Sequence, residues 1–317
     1  MNNNQNSIDI DLVYLWVDGN DPDWIARHNA FTGNTQATTA VDCKGRYFNN
    51  NELMYSLRSV DMYAPWIRRI FIVTDRQVPQ WLDTSNPKIR IVDHSEILPD
   101  EAIPTFNSVV IEHNLHRIPG LSEHFLYAND DTFINRPVSP ADFFAPDGQP
   151  LIRLNQRPFR KLYLLYRKTV MKKPLTNYNL TIHRAASLVE SKLGKYIGGK
   201  PHHNIDAYCK SEYSHIAEVF SDEIKPTLAN HIRSDNDIQR SIYTFATLAE
   251  HKGHRQNVTR KTSFHVHIDN PTHLEKLAKK NPMLFCLNDS QLATDNDRIK
   301  AKEFLLRRFP EKSQFEK

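Results

Sequence analysis

Four short apolar runs in the first 130 residues each stop abruptly at polar turn residues. No other feature constrains the fold as much. The runs are residues 8–17 (IDIDLVYLWV), 69–74 (RIFIVT), 89–92 and 125–128. Continuously apolar runs of this length read as strands covered on both faces, not as half-exposed hairpin strands. Helical periodicity falls between them. Leu53, Leu57 and Val60 share one face of a predicted helix over 51–63, stopped by Pro65, and a second helix is predicted over 108–118, ending before Pro119-Gly120. The order strand, helix, strand, strand, helix, strand predicts an α/β fold with parallel pairings.

After residue 150 the chain changes character. Residues 1–150 carry 11 Lys and Arg against 20 Asp and Glu, a net charge of −9; residues 151–317 carry the remaining 30 and 17, a net of +13. The expected organisation is an α/β core over 1–150, a basic linker or cap over 151–200, and a largely helical, basic part over 201–317. Helices are predicted near 182–193, 205–220, 238–250 and 296–309, a strand at 264–268, and a Thr-rich loop at 31–44. An acidic half suits a cation and a basic half a polyanion, although differently solvated surfaces would look the same. No zinc finger, RNP signature or helix-turn-helix pattern points to nucleic acid.

The 317 residues are 39% hydrophobic and 25% charged, enough for a core and unlike a disordered or collagen-like chain. No run reaches the roughly 18–20 apolar residues of a spanning helix. The Asn-rich residues 1–7 lack a signal-peptide pattern. Cys43, Cys209 and Cys286 fit neither a disulfide framework nor a zinc spacing, so they read as thiols of a reducing compartment. The expected location is the cytoplasm or its membrane face.

Three constellations carry chemistry. In FLYANDD (125–131) a strand runs into Asn129, Asp130 and Asp131. Ligands of open α/β sheets bind beyond the carboxyl ends of strands, and two adjacent carboxylates there repel unless a cation joins them. Hard oxygen ligands suit Mg²⁺ or Mn²⁺, above all beside a diphosphate; the bland alternative is a helix cap with a first-turn acid. In WVDGNDPDW (16–24), Trp16, Asp18 and Gly19 follow another strand end, either as a ligand loop or as a plain turn. In KPHH (200–203) and HIRSDND (231–237), a neutral histidine serves as a base near neutral pH and Arg233 as a phosphate clamp. Adjacent His202 and His203 do not share a helix face, and Arg233 beside Asp235 and Asp237 equally fits a structural ion-pair cluster. No G-x-G-x-x-G, Walker A, G-x-S-x-G or H-E-x-x-H pattern occurs.

At these residues the chain resembles the Stealth family of sugar-phosphate transferases, in four ordered blocks. The first is residues 11–24. The second runs from NELMYSLRS (51–59) through APWIR (64–68), IFIVTDRQVPQWL (70–82) and PTFNS (104–108) to IEHNLHRIPGLSEHFLYANDD (111–131). The third is 201–206 with 231–239, and the fourth FCLND (285–289). The resemblance implies a Rossmann-like, GT-A-like core and transfer of a hexose-1-phosphate from a UDP-sugar to a glycan hydroxyl, with UMP leaving and a phosphodiester-linked capsular polysaccharide as product. It implies Mg²⁺ (or Mn²⁺) on Asp130 and Asp131, and Arg233 and Arg58 neutralising phosphate charge. Trp16, Asp18, Gly19, Asn51, Glu52, Arg58, Asn107, Asn129, His231, Asp237, Gln239 and Asn288 become candidates for substrate binding. The family's spaced His-x-Pro-His appears here as Lys-Pro-His-His, so either His202 or His203 is the base, with His203 preferred. A glycosyltransferase releasing UDP, and a non-catalytic sugar-nucleotide-binding protein of capsule assembly, are the rival readings. Two basic surfaces are expected. Residues Arg153, Arg157, Arg160, Lys161, Arg167, Lys168, Lys172 and Lys173 would grip an acidic glycan acceptor. The segment 296–317, with Ile299, Phe304 and Leu305, would touch an anionic membrane.

Overall fold

A computed structural model describes residues 8–33, 51–155, 160–172, 177–290 and 292–317. The four apolar runs are β1 (Ile10–Leu15), β2 (Ile70–Thr74), β3 (Ile89–Asp93) and β4 (His124–Asn129). They pair in parallel in the order β3-β2-β1-β4. β5 (Thr132–Ile134), β6 (Leu151–Asn155), β7 (Lys200–Pro201) and β8 (Asp206–Cys209) follow, then β9 (His254–Asn257), β10 (Ser263–His267) and β11 (Leu284–Asn288). β8 closes the first sheet antiparallel to β4. A second sheet has the order β10-β11-β5 and a third β7-β6-β9.

The helices are α1 (Pro22–Thr32), α2 (Glu52–Tyr63), α3 (Ser108–Glu112), α4 (Arg160–Thr169) and α5 (Asn177–Leu193). They continue with α6 (Lys210–Val219), α7 (Ser221–Leu228), α8 (Ser241–Ala249), α9 (His273–Lys280) and α10 (Asp295–Arg308). Local chemistry sets several ends. Asp21 caps α1, Pro22 opens it, and Gly33 closes it at φ 69°. Thr294 and Asp297 form a capping box at the start of α10.

Successive residues of β1 enter different cores, which explains its unbroken apolar run. Leu12 and Tyr14 pack with Leu53, Leu57 and Val60 of α2. Val13 packs with Phe71, Phe125 and side chains of α5, α6 and α8. In the second sheet the Phe133 ring stacks on Phe285, centroids 4.7 Å apart.

Several expectations change. Residues 206–209 of the predicted 205–220 helix region pair with β4 as β8, and α6 starts only at Lys210. The predicted 108–118 helix is the short α3 followed by a 3₁₀ turn at Leu115–Arg117. The expected linker contains β6 and α4. β8 and β11 complete sheets begun by β4 and β5, so the sheets cross position 150. Of the predicted 31–44 loop, residues 31 and 32 end α1 and 34–44 lie outside the described residues. Cys286 is buried, Cys209 half-buried, and Cys43 lies outside the described residues.

Two charge assignments also move. Arg58 does not face a ligand loop: its guanidinium is buried against the C-terminal segment, donating to Glu316 (2.8 and 2.7 Å) and to the Phe309 carbonyl (2.9 Å). Glu316 is spoken for by this contact, so the phosphate role expected of Arg58 gives way to a structural one. Arg153 is buried too, its guanidinium over the Phe143 ring and bonded to the Asp142 carbonyl, so it leaves the expected glycan track. The apolar face of α10 turns inward. Ala301 and Leu305 are buried with Phe309, and only Ile299 of the expected membrane trio is exposed. Among the described residues no helix is long and apolar enough to cross a membrane.

The Arg58–Glu316 pair is nearly dry, with side-chain exposures of 8% and 3%. Removing one partner of such a pair strands a buried charge, at a cost of about 3–5 kcal/mol. Burial alone would raise the Glu316 carboxyl, but the Arg58 and Ser313 bonds outweigh it and hold it below its ordinary 4.5. A depressed carboxyl stabilises the fold above its ordinary value of 4.5 and loses that contribution as pH falls below it and through the lowered folded value. Glu316→Ala should therefore lower denaturant stability by that amount at pH 7 and flatten the acid limb of stability. Equal stability of variant and parent at pH 7 would contradict this.

Candidate active site

The strand order reverses direction at β1: β2 and β3 lie on one side of it, β4 on the other. Ligand crevices of open α/β sheets form at such a switch point. Leu15 pairs with Asn129, so the turn after β1 and the Asn129-Asp130-Asp131 corner after β4 emerge side by side. β4 then leaves the first sheet, and β5 enters the second directly. Asp130 and Asp131 thus occupy the corner between two sheets. The Asp131 carbonyl accepts from Leu287 N–H of β11 (2.9 Å), which pins the corner to the fourth sequence block.

Like charges dominate this corner. Burial first, then the charges of Asp131 and Glu52, hold the Asp130 carboxyl well above the ordinary carboxylate range. Burial would raise Asp131 as well, but His203 and the Cys286 thiol more than offset that and hold it below 3.8. Its Oδ2 lies 3.6 Å from His203 Nε2 and 3.2 Å from Cys286 Sγ; its Oδ1 is buried and has no hydrogen-bond partner. A divalent cation fits here on two counts: converging carboxylates whose repulsion it would relieve, and an orphaned carboxylate oxygen. The atoms of Asp131, His203 and Cys286 lie within 4.8 Å of one another, close enough to hold a metal ion.

The two histidines have different surroundings. His202 is buried, and its Nε2 is 3.0 Å from Asp206 Oδ1 at the start of β8. His203 has a side chain 37% exposed and faces Asp131. Burial pulls the His203 imidazole down, but Asp131 outweighs it and the net shift is upward from 6.5. Burial raises Asp206, but Arg240 and His202 bring it to about 2.

Arg240 was not foreseen. It donates to Asp206 Oδ2 (2.7 Å) and to the Tyr208 hydroxyl, and its guanidinium lies 4.3 Å above the Tyr127 ring. The available signal was its place directly after Gln239 in the third block; next to a helix start it reads as an ordinary surface arginine. Two further residues emerge only in three dimensions. His265 and His267 project from β10, their rings stacked 4.6 Å apart, with His265 5.7 Å from His203. Burial, then His203 and His267, push His265 down to about 4. The alternation in Phe264-His265-Val266-His267 carries that signal, since every second residue shares a face.

The other candidates separate into groups. Trp16 is buried under the first sheet, and Asp18 exchanges bonds with Gln77, which also donates to Asp21. Gly19 lies in the turn between them and α1. Asn51 is the N-cap of α2 at φ 63°, and Glu52 opens that helix with its charge acting on Asp130. Asn129 accepts from the Tyr127 hydroxyl (2.8 Å), and Asn288 lies 3.4 Å from His267. A groove beside Glu52 is lined by Leu287, Asp289, Arg298 and Lys302.

A second group forms a knot at α3. Buried Asp237 accepts from Asn107 (2.9 Å), Asn230 (2.7 Å) and Ser234 N–H (2.9 Å), while Asn107 also caps α3. His231 bonds the Pro104 carbonyl, and Arg233 donates to Ser108. Gln239 accepts through its backbone from Ile242 at the start of α8. Asn107 and Asp237 are 0% and 2% exposed, so their polar groups bind each other and not a ligand.

The sheet and this corner define an α/β protein with an acidic, histidine-flanked site at its switch point. Comparison with known proteins gives the family. The conserved region 1 model of Stealth proteins matches residues 9–36 and the conserved region 2 model residues 46–152. A capsular polysaccharide phosphotransferase of Haemophilus influenzae is 34% identical over 309 residues, covering 94% of this chain and 82% of its own length. One from Aeromonas hydrophila is 33% identical over 314 residues, covering 95% and 84%. A crystal structure of the galactosyltransferase LgtC, with donor and acceptor sugar analogs, superposes with a TM-score of 0.47 at 10% identity over 95% of each chain. The chain belongs to the Stealth family.

The contrast between the histidines is open to a direct check. His202→Ala leaves Asp206 with one hydrogen-bond partner fewer in a largely buried place, worth about 1–3 kcal/mol. It should lower the unfolding free energy by that much, whereas His203→Ala at the open edge should change it by less than about 0.5 kcal/mol. The reverse ranking in urea titrations would contradict the assignment.

Proposed function

We propose that the chain transfers a hexose-1-phosphate from a UDP-sugar to a hydroxyl of an acidic glycan, releasing UMP and building a phosphodiester-linked capsular polysaccharide. The observation that carries this reading is the corner itself: two adjacent half-buried carboxylates at the switch point, with a histidine 3.6 Å from one of them. Family membership, through capsular polysaccharide phosphotransferases alike over nearly the whole chain, supports it.

The acceptor oxygen attacks the β-phosphorus, the bond from that phosphorus to the bridging oxygen breaks, and UMP departs. His203 Nε2 takes the hydroxyl proton. Phosphoryl transfer needs little covalent help; positioning and charge neutralisation do most of it. Asp130 and Asp131 would hold Mg²⁺ (or Mn²⁺), which supplies charge neutralisation at the diphosphate. Arg233 is the proposed partner of the departing phosphate. Arg240 is a positioning residue: it holds Asp206, which holds His202 and so sets the approach of His203. Trp16, Asp18, Gly19, Asn51, Glu52, Asn129 and Asn288 line the route proposed for the donor.

A peripheral contact with an anionic membrane moves from α10 to α4. Leu162, Tyr163 and Tyr166 on α4, and Val170 just past its end, are 64%, 51%, 53% and 62% exposed, along a helix rich in Lys and Arg. Aliphatic residues, interfacial tyrosines and flanking cations match the headgroup boundary of a bilayer. The expected address is then the inner face of the bacterial plasma membrane.

Two experiments test these readings. Asp130→Ala and Asp131→Ala should cut UMP release from UDP-sugars by at least about a hundredfold, and His203→Ala should lower kcat far more than it raises KM. Near-parental rates for both aspartate variants in EDTA would contradict the carboxylate reading. For the membrane contact, Leu162→Gln with Val170→Gln should reduce co-sedimentation with phosphatidylserine vesicles while UMP release in solution persists. Undiminished co-sedimentation would place the contact elsewhere.

A further inference from the structure

The proposed transfer needs oxygen ligands and a base, and has no use for a thiol. Yet Cys286 is fully buried with its Sγ 3.2 Å from Asp131 Oδ2. Three rigid elements bring this about. β11 pairs antiparallel with β5, setting Cys286 opposite Thr132, the residue after Asp131. The segment entering β8 lays His203 against the same carboxylate. One carboxylate oxygen, one imidazole nitrogen and one sulfur therefore converge within 4.8 Å, and the second Asp131 oxygen is buried without a partner.

That donor set has a preference. Mg²⁺ takes hard oxygen ligands in a near-ideal octahedron and does not seek sulfur. Zn²⁺ and Co²⁺ accept sulfur, imidazole and carboxylate together, and three protein ligands with one open position is the arrangement of an accessible zinc site. We infer that Asp131, His203 and Cys286 form a second metal site, selective for Zn²⁺-class ions, whose occupation switches the transferase off.

The switch follows from the ligands. A Zn²⁺-class ion takes the His203 nitrogen lone pair that the transfer uses as a base, and an Asp131 oxygen that the Mg²⁺ state uses. The Cys286 thiol gives up its proton to solvent as the metal–sulfur bond forms, and no electron changes hands. The inhibition rests on the proposed transfer reaction; metal capture by the three side chains does not. His265, next to His203, borders the site.

The test separates the two. Co²⁺ is titrated into the full chain and read by its visible absorption and by the sulfur-to-cobalt charge-transfer band. The parent should show that band and release protons on binding. Cys286→Ser should lose the band, and His203→Gln, a change at an exposed edge that spares the core, should weaken Co²⁺ binding at least about tenfold. Cys43→Ser and Cys209→Ser should keep the band. No band in the parent, or an unchanged band in Cys286→Ser, would overturn the site. With activity measured in excess Mg²⁺, Zn²⁺ should inhibit the parent, and Cys286→Ser should need at least about tenfold more Zn²⁺ to lose half of its own rate. Equal sensitivity would overturn the switch. A sulfur band in a protein that releases no UMP from any UDP-sugar would uphold the metal site and reject the transferase reading.

Discussion

Repulsion between Asp130 and Asp131, with Glu52 alongside, is the constraint around which the site is organised. Consecutive half-buried carboxylates repel each other unless a cation or hydrogen-bond donors help. The fold offers two kinds. His203 and Cys286 address Asp131 from the segment entering β8 and from β11, while burial and the charges of Asp131 and Glu52 hold the Asp130 carboxyl well above the ordinary carboxylate range. The two sheets meet at this corner because only the two-residue turn Asp130-Asp131 joins β4 to β5, so packing of either sheet is felt at the carboxylates. Phe133 on Phe285, each two positions along its strand from the Asp131–Leu287 hydrogen bond at the corner, anchors that junction.

A second layer holds the histidine. Arg240, half-buried among Tyr127, Tyr208 and Asp206, is the hub: it neutralises Asp206, which in turn fixes His202. A half-buried cation flanked by two aromatic rings and an ionised carboxylate has each of these neighbours to compensate for lost hydration. The knot at α3 does the same work for the third block, with Asp237 accepting three bonds and tying residues 230–237 to Asn107.

Most of the first sheet was legible in the sequence because strands buried on both faces have unbroken apolar runs. β8 was not, since Asp206–Cys209 continues without a break into the helical pattern of α6, and only pairing with β4 decides between them. The Asp130-Asp131 corner was legible as a strand end followed by acids. The roles of Arg58 and Arg240 were not: the partner of Arg58 is Glu316, 258 positions away, and Arg240 packs on tyrosines from two different strands, Tyr127 of β4 and Tyr208 of β8. Charge read along the chain had the same weakness. The −9 and +13 halves are real, but Arg153 lies in the core and α10 turns its apolar face inward, so a cluster in sequence was not a surface in space.

The central claim is that the bond broken lies between the two phosphorus atoms and that the sugar keeps its own oxygen. A UDP-sugar carrying an oxygen isotope label between sugar C1 and the β-phosphorus, incubated with the protein, Mg²⁺ and acceptor glycan, reports on this directly. The account predicts that the label stays in the new phosphodiester and that unlabelled UMP is released. Label recovered in free UDP, with a glycoside as product, would contradict it.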